Sequence, residues 1–382
     1  MRSNYKIGDL VHAVDNRNFD LHCHNLLGLS MTKEFRASTS NIVGTDLSKY
    51  KIVGFNQFAV DFMSAIRVHR MPIALNRTET DIIVSPAYGV FAVNNEEEVL
   101  PEYLMLWFRR PEFDRYADFR SDSAIRGGFD WKELCATKIT LPPIEEQRKI
   151  VHDYQVITDR IALLRKMNKN LEEQAQTLFH SLFIDTEDVD CSLSEICHIN
   201  PSRPLKKDKL AMCFDMATLP TTGSMPTDGE LKLYNGGARF QNGDTLLARI
   251  TPCFENGKAA YINNLTDGEI AFGSTEYIVF SSKGDIPSSF FYFLVRNKKF
   301  RDFGMQFMNG SSGRQRISGE EFGSFKMKKP SQRAIDKFSA LGERTMLFLR
   351  DNSNEIAVLS KIRNLISCRM TLNTSNVNPE RR

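Results

Sequence analysis

Leu141-Pro142-Pro143-Ile144-Glu145-Glu146-Gln147-Arg148 opens a stretch that continues to Ile184 without a further glycine or proline. The paired prolines pre-set the first turn of a helix, and Glu145 and Glu146 suit the positive end of its dipole. Ile150, Tyr154, Ile157, Ile161, Leu164, Asn168, Leu171, Ala175, Leu178 and Leu182 then step by four and three residues. That is a heptad seam, and it predicts one long helix over residues 144–185. Asn168 sits on the seam, where a buried amide costs stability and fixes register; a solvated kink is the other reading. A helix of about 34 residues is about 50 Å long.

Working outward, residues 331–370 read as a second, weaker helix. Phe338, Leu341, Phe348, Leu349, Ile356, Leu359, Ile362 and Ile366 give an apolar stripe, interrupted by Gly342 and Asn352. An apolar seam on a lone helix would be exposed, so either the two helices pack on each other or each lies along its own domain. Residues 371–382 are polar and read as a disordered tail.

The two helices close two copies of one plan, offset by about 187 residues. Ile7-Gly8-Asp9-Leu10-Val11-His12 recurs as Leu193-Ser194-Glu195-Ile196-Cys197-His198. Phe58-Ala59-Val60 answers Thr245-Leu246-Leu247, and Ser85-Pro86-Ala87-Tyr88-Gly89-Val90-Phe91 answers Ser274-Thr275-Glu276-Tyr277-Ile278-Val279-Phe280. An aromatic-rich helical stretch follows in each half, then a basic glycine segment (Ala124-Ile125-Arg126-Gly127-Gly128; Ser312-Gly313-Arg314-Gln315-Arg316), then proline and glutamine. Two copies are too few for a solenoid; they suggest a single-chain mimic of a two-fold dimer. Short β-branched runs among Gly, Asn and Pro turns make each copy a compact α/β unit. The expected order is globule, long helix, globule, long helix.

Net charge is +3, from 50 basic and 47 acidic residues, and no large region is strongly basic. This argues against a sequence-independent polyelectrolyte binder, and any nucleic-acid contact must be local. Seven cysteines are dispersed without a CxxC pair, a poor disulfide framework and a poor zinc site. No apolar run approaches the roughly 18–20 residues of a membrane span. Met1-Arg2-Ser3-Asn4-Tyr5-Lys6 lacks the apolar stretch of a secretory signal. The expectation is a cytoplasmic protein with reduced, buried thiols and no membrane partner.

No catalytic constellation is legible. Glu255-Asn256-Gly257-Lys258 lacks the rest of a phosphate loop, and Asn235-Gly236-Gly237-Ala238 lacks the context of a dinucleotide turn. His22-Cys23-His24 lacks further ligands at useful spacing, so no metal is expected. Glu276 reads as a structural or base-contacting carboxylate, because no second catalytic group accompanies it. What remains is arginine with polar amides in loops. Arg314-Gln315-Arg316 suits bidentate contacts to guanine and adenine edges. Lys298, Lys299 and Arg301 suit phosphates, and Arg249 and Lys258 add to the second half. The first half offers Arg67, Arg70, Arg126 and Arg120. The residues alone thus support a two-headed binding protein, either a DNA reader or a coiled-coil scaffold for proteins.

Leu141 to Val151, running into a helix that ends Ala175-Gln176-Thr177-Leu178-Phe179-His180-Ser181-Leu182-Phe183, looks like the first conserved helical region of a known family. Thr251-Pro252-Cys253-Phe254-Glu255-Asn256-Gly257-Lys258 and Gly273-Ser274-Thr275-Glu276 look like one kind of target recognition domain from it. Over essentially its whole length the chain resembles the specificity subunit of type I restriction-modification enzymes. It departs in Lys329-Pro330-Ser331, where a Leu-Pro-Pro opening would stand, and in Phe62, at about the place of Arg249.

The resemblance implies an α+β chain with two α/β target recognition domains (1–143 and 186–330) in pseudo-two-fold arrangement. Two long antiparallel helices (144–185 and 331–370) would separate them as a coiled coil. Ile150, Tyr154, Ile157, Ile161, Leu164, Asn168, Leu171, Leu178, Ile356 and Leu359 would form the seam and subunit-binding region. The partners implied are double-stranded DNA, two modification (methyltransferase) subunits and two restriction/motor subunits. The chain itself would be a non-catalytic subunit without cofactor, S-adenosylmethionine, ATP and Mg2+ belonging to those partners. Two short half-sites with an unread spacer between them would be its target.

Overall fold

The computed structural model describes residues 3–38, 44–64, 69–122, 129–185, 190–311 and 313–372. It divides into two compact units, Met1–Asp159 with Leu359–Arg382, and Arg160–Val358.

In the first unit, β1 (Ser3–Lys6) leads through a single helical turn, α1 (Ile7–Leu10), into β2 (Val11–Ala13). Then come β3 (Leu27–Leu29), β4 (Phe35–Ala37), β5 (Lys51–Val53), β6 (Gln57–Val60), β7 (Ile73–Leu75), β8 (Ile82–Val84) and β9 (Gly89–Val93). Helices α2 (Pro101–Phe108), α3 (Pro111–Asp122) and α4 (Trp131–Ala136) and strand β10 (Lys138–Leu141) complete it. The main sheet has the order β2-β9-β6-β7, and β1 pairs with β10. Side-chain alternation along each strand splits the core into two layers. Phe58 and Phe91 stack at 4.7 Å on the helical side against Phe108, while Ala59 and Val90 face Val53, Ile82 and Val84 of the β5–β8 pair.

The long helix α5 covers Ile144–Phe183, 40 residues or about 60 Å. Its start is tied to the first unit by Gln147, which is fully buried. The Gln147 side chain accepts the Leu100 N–H at 3.1 Å and donates to the Glu98 and Pro142 carbonyls at 2.9 and 3.0 Å.

The second unit repeats the plan. Strand β11 (Cys191–Ser192), α6 (Leu193–Ile196) and β12 (Cys197–Ile199) echo the opening of the first. Next come β13 (Leu210–Phe214), β14 (Glu230–Leu233), β15 (Arg239–Phe240), β16 (Thr245–Ala248), β17 (Ala259–Tyr261), β18 (Ala271–Gly273) and β19 (Tyr277–Ser282). They are followed by α7 (Ser289–Arg296), α8 (Lys298–Gln306), α9 (Gly319–Gly323), β20 (Lys326–Met327) and α10 (Gln332–Leu372). The sheet order β12-β19-β16-β17 is that of the first unit, and β11 pairs with β20 as β1 does with β10. Register is preserved as well: Phe91 lies opposite Ala13 and Phe58, and Phe280 lies opposite Ile199 and Thr245. The layer beyond this sheet differs. A four-stranded sheet, β14-β13-β18-β15, replaces the separate β3–β4 and β5–β8 pairs.

Within the second unit the two long helices run antiparallel. Arg160 of α5 meets Glu355 of α10 at 2.6 Å, Asn352 Nδ2 donates to Asn168 Oδ1 at 2.7 Å, and Phe179 stacks edge-on with Phe338. Asn168 is thus one half of an interhelical amide pair within a continuous helix. Asn352, an apparent interruption of the stripe, is the other half. Gly342 also has a use: a Cβ there would sit 2.9 Å from the Phe338 ring and 3.0 Å from Ser289 Oγ. The stripe itself needs correction, because Phe348 and Ile362 are 52% and 41% exposed while Ile335, Thr345 and Met346 turn inward. The second proline-glutamine landmark is also different from the first. Gln332 is exposed and bonds Asp336, and the helical position matching Gln147 is buried Ile335, whose N–H bonds the Ser331 carbonyl.

Helix α10 continues two residues past the expected end at 370, and the expected tail from residue 373 onward lies outside the described residues. Cys23, Cys191 and Cys197 are buried, but Cys368 is exposed, so burial of the thiols is not general. Among the described residues, no helix is long and apolar enough to cross a membrane.

Candidate nucleic-acid interface

The loop after β18 is built residue by residue to present a carboxylate. Gly273 leaves no room for a side chain, since a Cβ would fall 2.2 Å from the Phe214 carbonyl oxygen and 2.6 Å from the Tyr277 ring. Ser274 Oγ accepts the Glu276 N–H at 3.1 Å, turning the chain, and buried Tyr277 anchors it by donating to the Phe214 carbonyl at 3.2 Å. Burial pushes the Tyr277 phenol well above its ordinary value, so it stays a neutral donor. Glu276 is left at the rim, one residue before β19 begins.

Two arginines converge on that carboxylate. Arg316 Nε lies 2.9 and 3.0 Å from the two Glu276 oxygens, and its Nη2 lies 2.9 Å from Oε1. Arg249, just past the end of β16, brings Nε to 3.6 Å from Oε2. Backbone pairing fixes the approach: Ile250 bridges Arg316, Ile317 N–H donates to the Arg249 carbonyl, and Gln315 N–H donates to Thr251 Oγ1 at 2.9 Å. Arg314 is exposed at the tip, and Gln315 is half-buried.

Three other cations expected at the site are engaged elsewhere. Lys258 Nζ donates to the Met216 carbonyl at 2.7 Å, and Lys299 Nζ donates to the Ile184 carbonyl just beyond the C-terminus of α5. Lys298 pairs with Asp302 on its own helix. The loop 251–258 is held by Arg296, which donates to the carbonyls of Gly257, Thr221 and Ala259 at 2.7, 2.8 and 3.1 Å. Arg296 was silent in the sequence because its role is set by backbone carbonyls, which leave no side-chain signature.

In the first unit Arg70 is exposed, Arg120 pairs with Glu133 at 2.6 Å, and Arg67 and Arg126 lie outside the described residues. Two further cations are structural. Lys33 is buried against Asp114 at 2.8 Å, and burial pulls its pKa down. Arg110 lies 4.4 Å over Trp107 and is pushed down to about 10 by burial. Cys23, the centre of the His22-Cys23-His24 run, is buried with its thiol donating to the Asp81 carbonyl.

On the seam, Ile161, Leu164 and Ala175 are buried. Leu171 and Leu178 pack on the second unit's core, Ile150 and Tyr154 pack on the first unit's core, and Ile157, Ile356 and Leu359 are half-buried.

This arrangement is a duplicated α/β scaffold with an arginine-rich rim and paired long helices. The chain is similar to the specificity subunits of type I restriction enzymes. It is 28% identical over 179 residues to the EcoEI specificity subunit of Escherichia coli, covering 44% of this chain and 29% of that protein. With the EcoAI specificity subunit, also of Escherichia coli, it shares 33% identity over 132 residues, 33% of this chain and 22% of the relative. The matches thus span less than a third of these relatives' length. In fold it is similar to a type I restriction-modification S subunit from M. genitalium, with a TM-score of 0.60 at 12% identity, covering 97% of this chain and 96% of that one. No protein-family model matches.

Proposed function

We propose that the chain is the DNA-recognition subunit of a cytoplasmic type I restriction-modification complex. It reads a bipartite, gapped target and positions methyltransferase and motor/nuclease subunits, and it catalyses nothing itself. The observation that carries this reading is the shared strand register of the two units combined with their unlike rims. One scaffold is used twice, and the residues beyond the strand ends differ, as two readers of two different half-sites require. Arginines with amides on loops supply base-edge donors. The weak net charge fits a reader whose backbone affinity is completed by partners. Exposed apolar side chains on the long helices, among them Leu163, Met167 and Phe348 at 49%, 42% and 52%, support a partner covering that surface.

Co-producing the chain with its modification subunit tests this. Sequencing the host genome for N6-methyladenine should give an asymmetric motif with an unread gap. A contiguous motif, or none beside a demonstrably active methyltransferase, overturns the proposal.

A further inference from the structure

We infer that Arg316 reads one guanine in the half-site of the second unit, and that Glu276 is the positioning residue that aims it. This rests on the DNA-reading function proposed above. A guanidinium carries five N–H donors in a fixed fork. In Arg316 the Nε–H and one Nη2–H meet Glu276, and one Nη1–H meets the Arg314 carbonyl at 3.3 Å. Two donors remain, one on each terminal nitrogen of a side chain that is 42% exposed, and we take them as the outer pair of the fork.

That outer pair matches the two acceptors, O6 and N7, that guanine presents in the major groove. Adenine offers N7 beside an amino group, which a second donor repels, so the edge selects guanine. Holding the guanidinium by three bonds before DNA arrives removes the entropy cost of ordering a long side chain on binding. A carboxylate on a surface that meets phosphates is otherwise unfavourable, so its place between two arginines calls for this kind of use. Arg249 reaches the same carboxylate at 3.6 Å, so the three side chains together carry a net positive charge. Among the described residues the corner is found in the second unit: with Phe91 and Phe280 in equivalent register, Ala87 stands where Glu276 does and Phe62 where Arg249 does.

The test uses the assembled methyltransferase complex and duplexes carrying its methylated motif. Each guanine of the second unit's half-site is replaced in turn by 7-deazaguanine, which lacks the N7 acceptor. At one guanine, and only one, the wild-type complex should lose about 10-fold in affinity. Arg316→Ala, which removes every donor, should bind both duplexes equally, and its methylome should be degenerate at that one position. Glu276→Gln, which keeps an acceptor, should retain part of the discrimination, and Glu276→Ala should lose most of it. Unchanged reading of the other half-site shows that each variant is folded. If no guanine in this half-site responds, or if Arg316→Ala still discriminates, the assignment fails while the gapped motif stands. A wild-type complex without a gapped motif overturns both.

Discussion

In the first unit the side chain of Gln57 accepts the Gly54 N–H at 2.8 Å; in the second, Asp244 accepts the Gln241 N–H, also at 2.8 Å. Both stand at the entrance to the central strand of the shared sheet. The neutral amide needs nothing more. The carboxylate is 1% exposed and requires a counter-charge, which Arg203 supplies through Nε at 3.0 Å and Nη2 at 2.6 Å. Arg17, the residue of the first unit that corresponds to Arg203 in the repeat, instead meets Asp15 and the Lys49 carbonyl. One backbone turn can thus be closed with a neutral or a charged group, and only the charged version drags a partner into the fold. The repeat preserves geometry and lets chemistry vary.

The largest expected effect breaks that comparison directly. Asp244→Ala, which leaves the Arg203 side chain, 12% exposed, with Ser281 Oγ still bonded but no counter-charge, should destabilise by about 3 kcal/mol in urea titrations, and Gln57→Ala by about 1. Equal losses would contradict the contrast. Burial also raises the Asp244 pKa above its ordinary value near 3.8 despite Arg203. The folded state therefore holds this proton more tightly than the unfolded state does. The group's contribution to stability should fall as pH rises from about 3.8 through the raised folded value, and Asp244→Asn should flatten that part of the profile.

The corner past the central strand gives the next effect. Phe62 packs on the first unit's core, whereas Arg249 has 32% of its side chain exposed. Phe62→Ala should cost about 1–3 kcal/mol and Arg249→Ala within about 0.5, with DNA binding of the assembled complex weakened chiefly by the latter. A reversed order, read from melting and binding of the two variants, would refute the division into scaffold and reader.

Smaller still is the contrast along the helices. In the first unit the contacts of Ile150, Tyr154 and Met370 are apolar; in the second, Asn168 meets Asn352. Replacing both asparagines by leucine should raise the melting temperature and loosen helix register, whereas either replacement alone should destabilise by about 1 kcal/mol. Loss of stability in the double variant counts against a register role. The exposed Arg160–Glu355 pair should matter least: Glu355→Gln should lower the melting temperature slightly, and added salt should erase the difference.

The repeat, the long helices and the strands were legible because burial writes a period of two or three-and-a-half into consecutive residues. Asn352 and Gly342 looked like defects because what they serve, Asn168 and the approach of Ser289, lies far away in the chain. Gln332 misled because two letters, proline and glutamine, mark a position without fixing which side chain turns inward. Glu276 stands out in the sequence, but its pairing with Arg316 spans 40 residues and depends on which strand end each residue follows. Lys258 and Lys299 read as free cations because carbonyl partners leave no trace in composition.

The central claim is that two unlike readers share one scaffold and act independently. The measurement that tests it most directly is the methylated motif of a strain carrying Arg314→Ala and Arg316→Ala together. The account predicts that one half of the gapped motif relaxes and the other half stays as in the wild type. Relaxation or loss of both halves, with the protein folded and assembled, would contradict it.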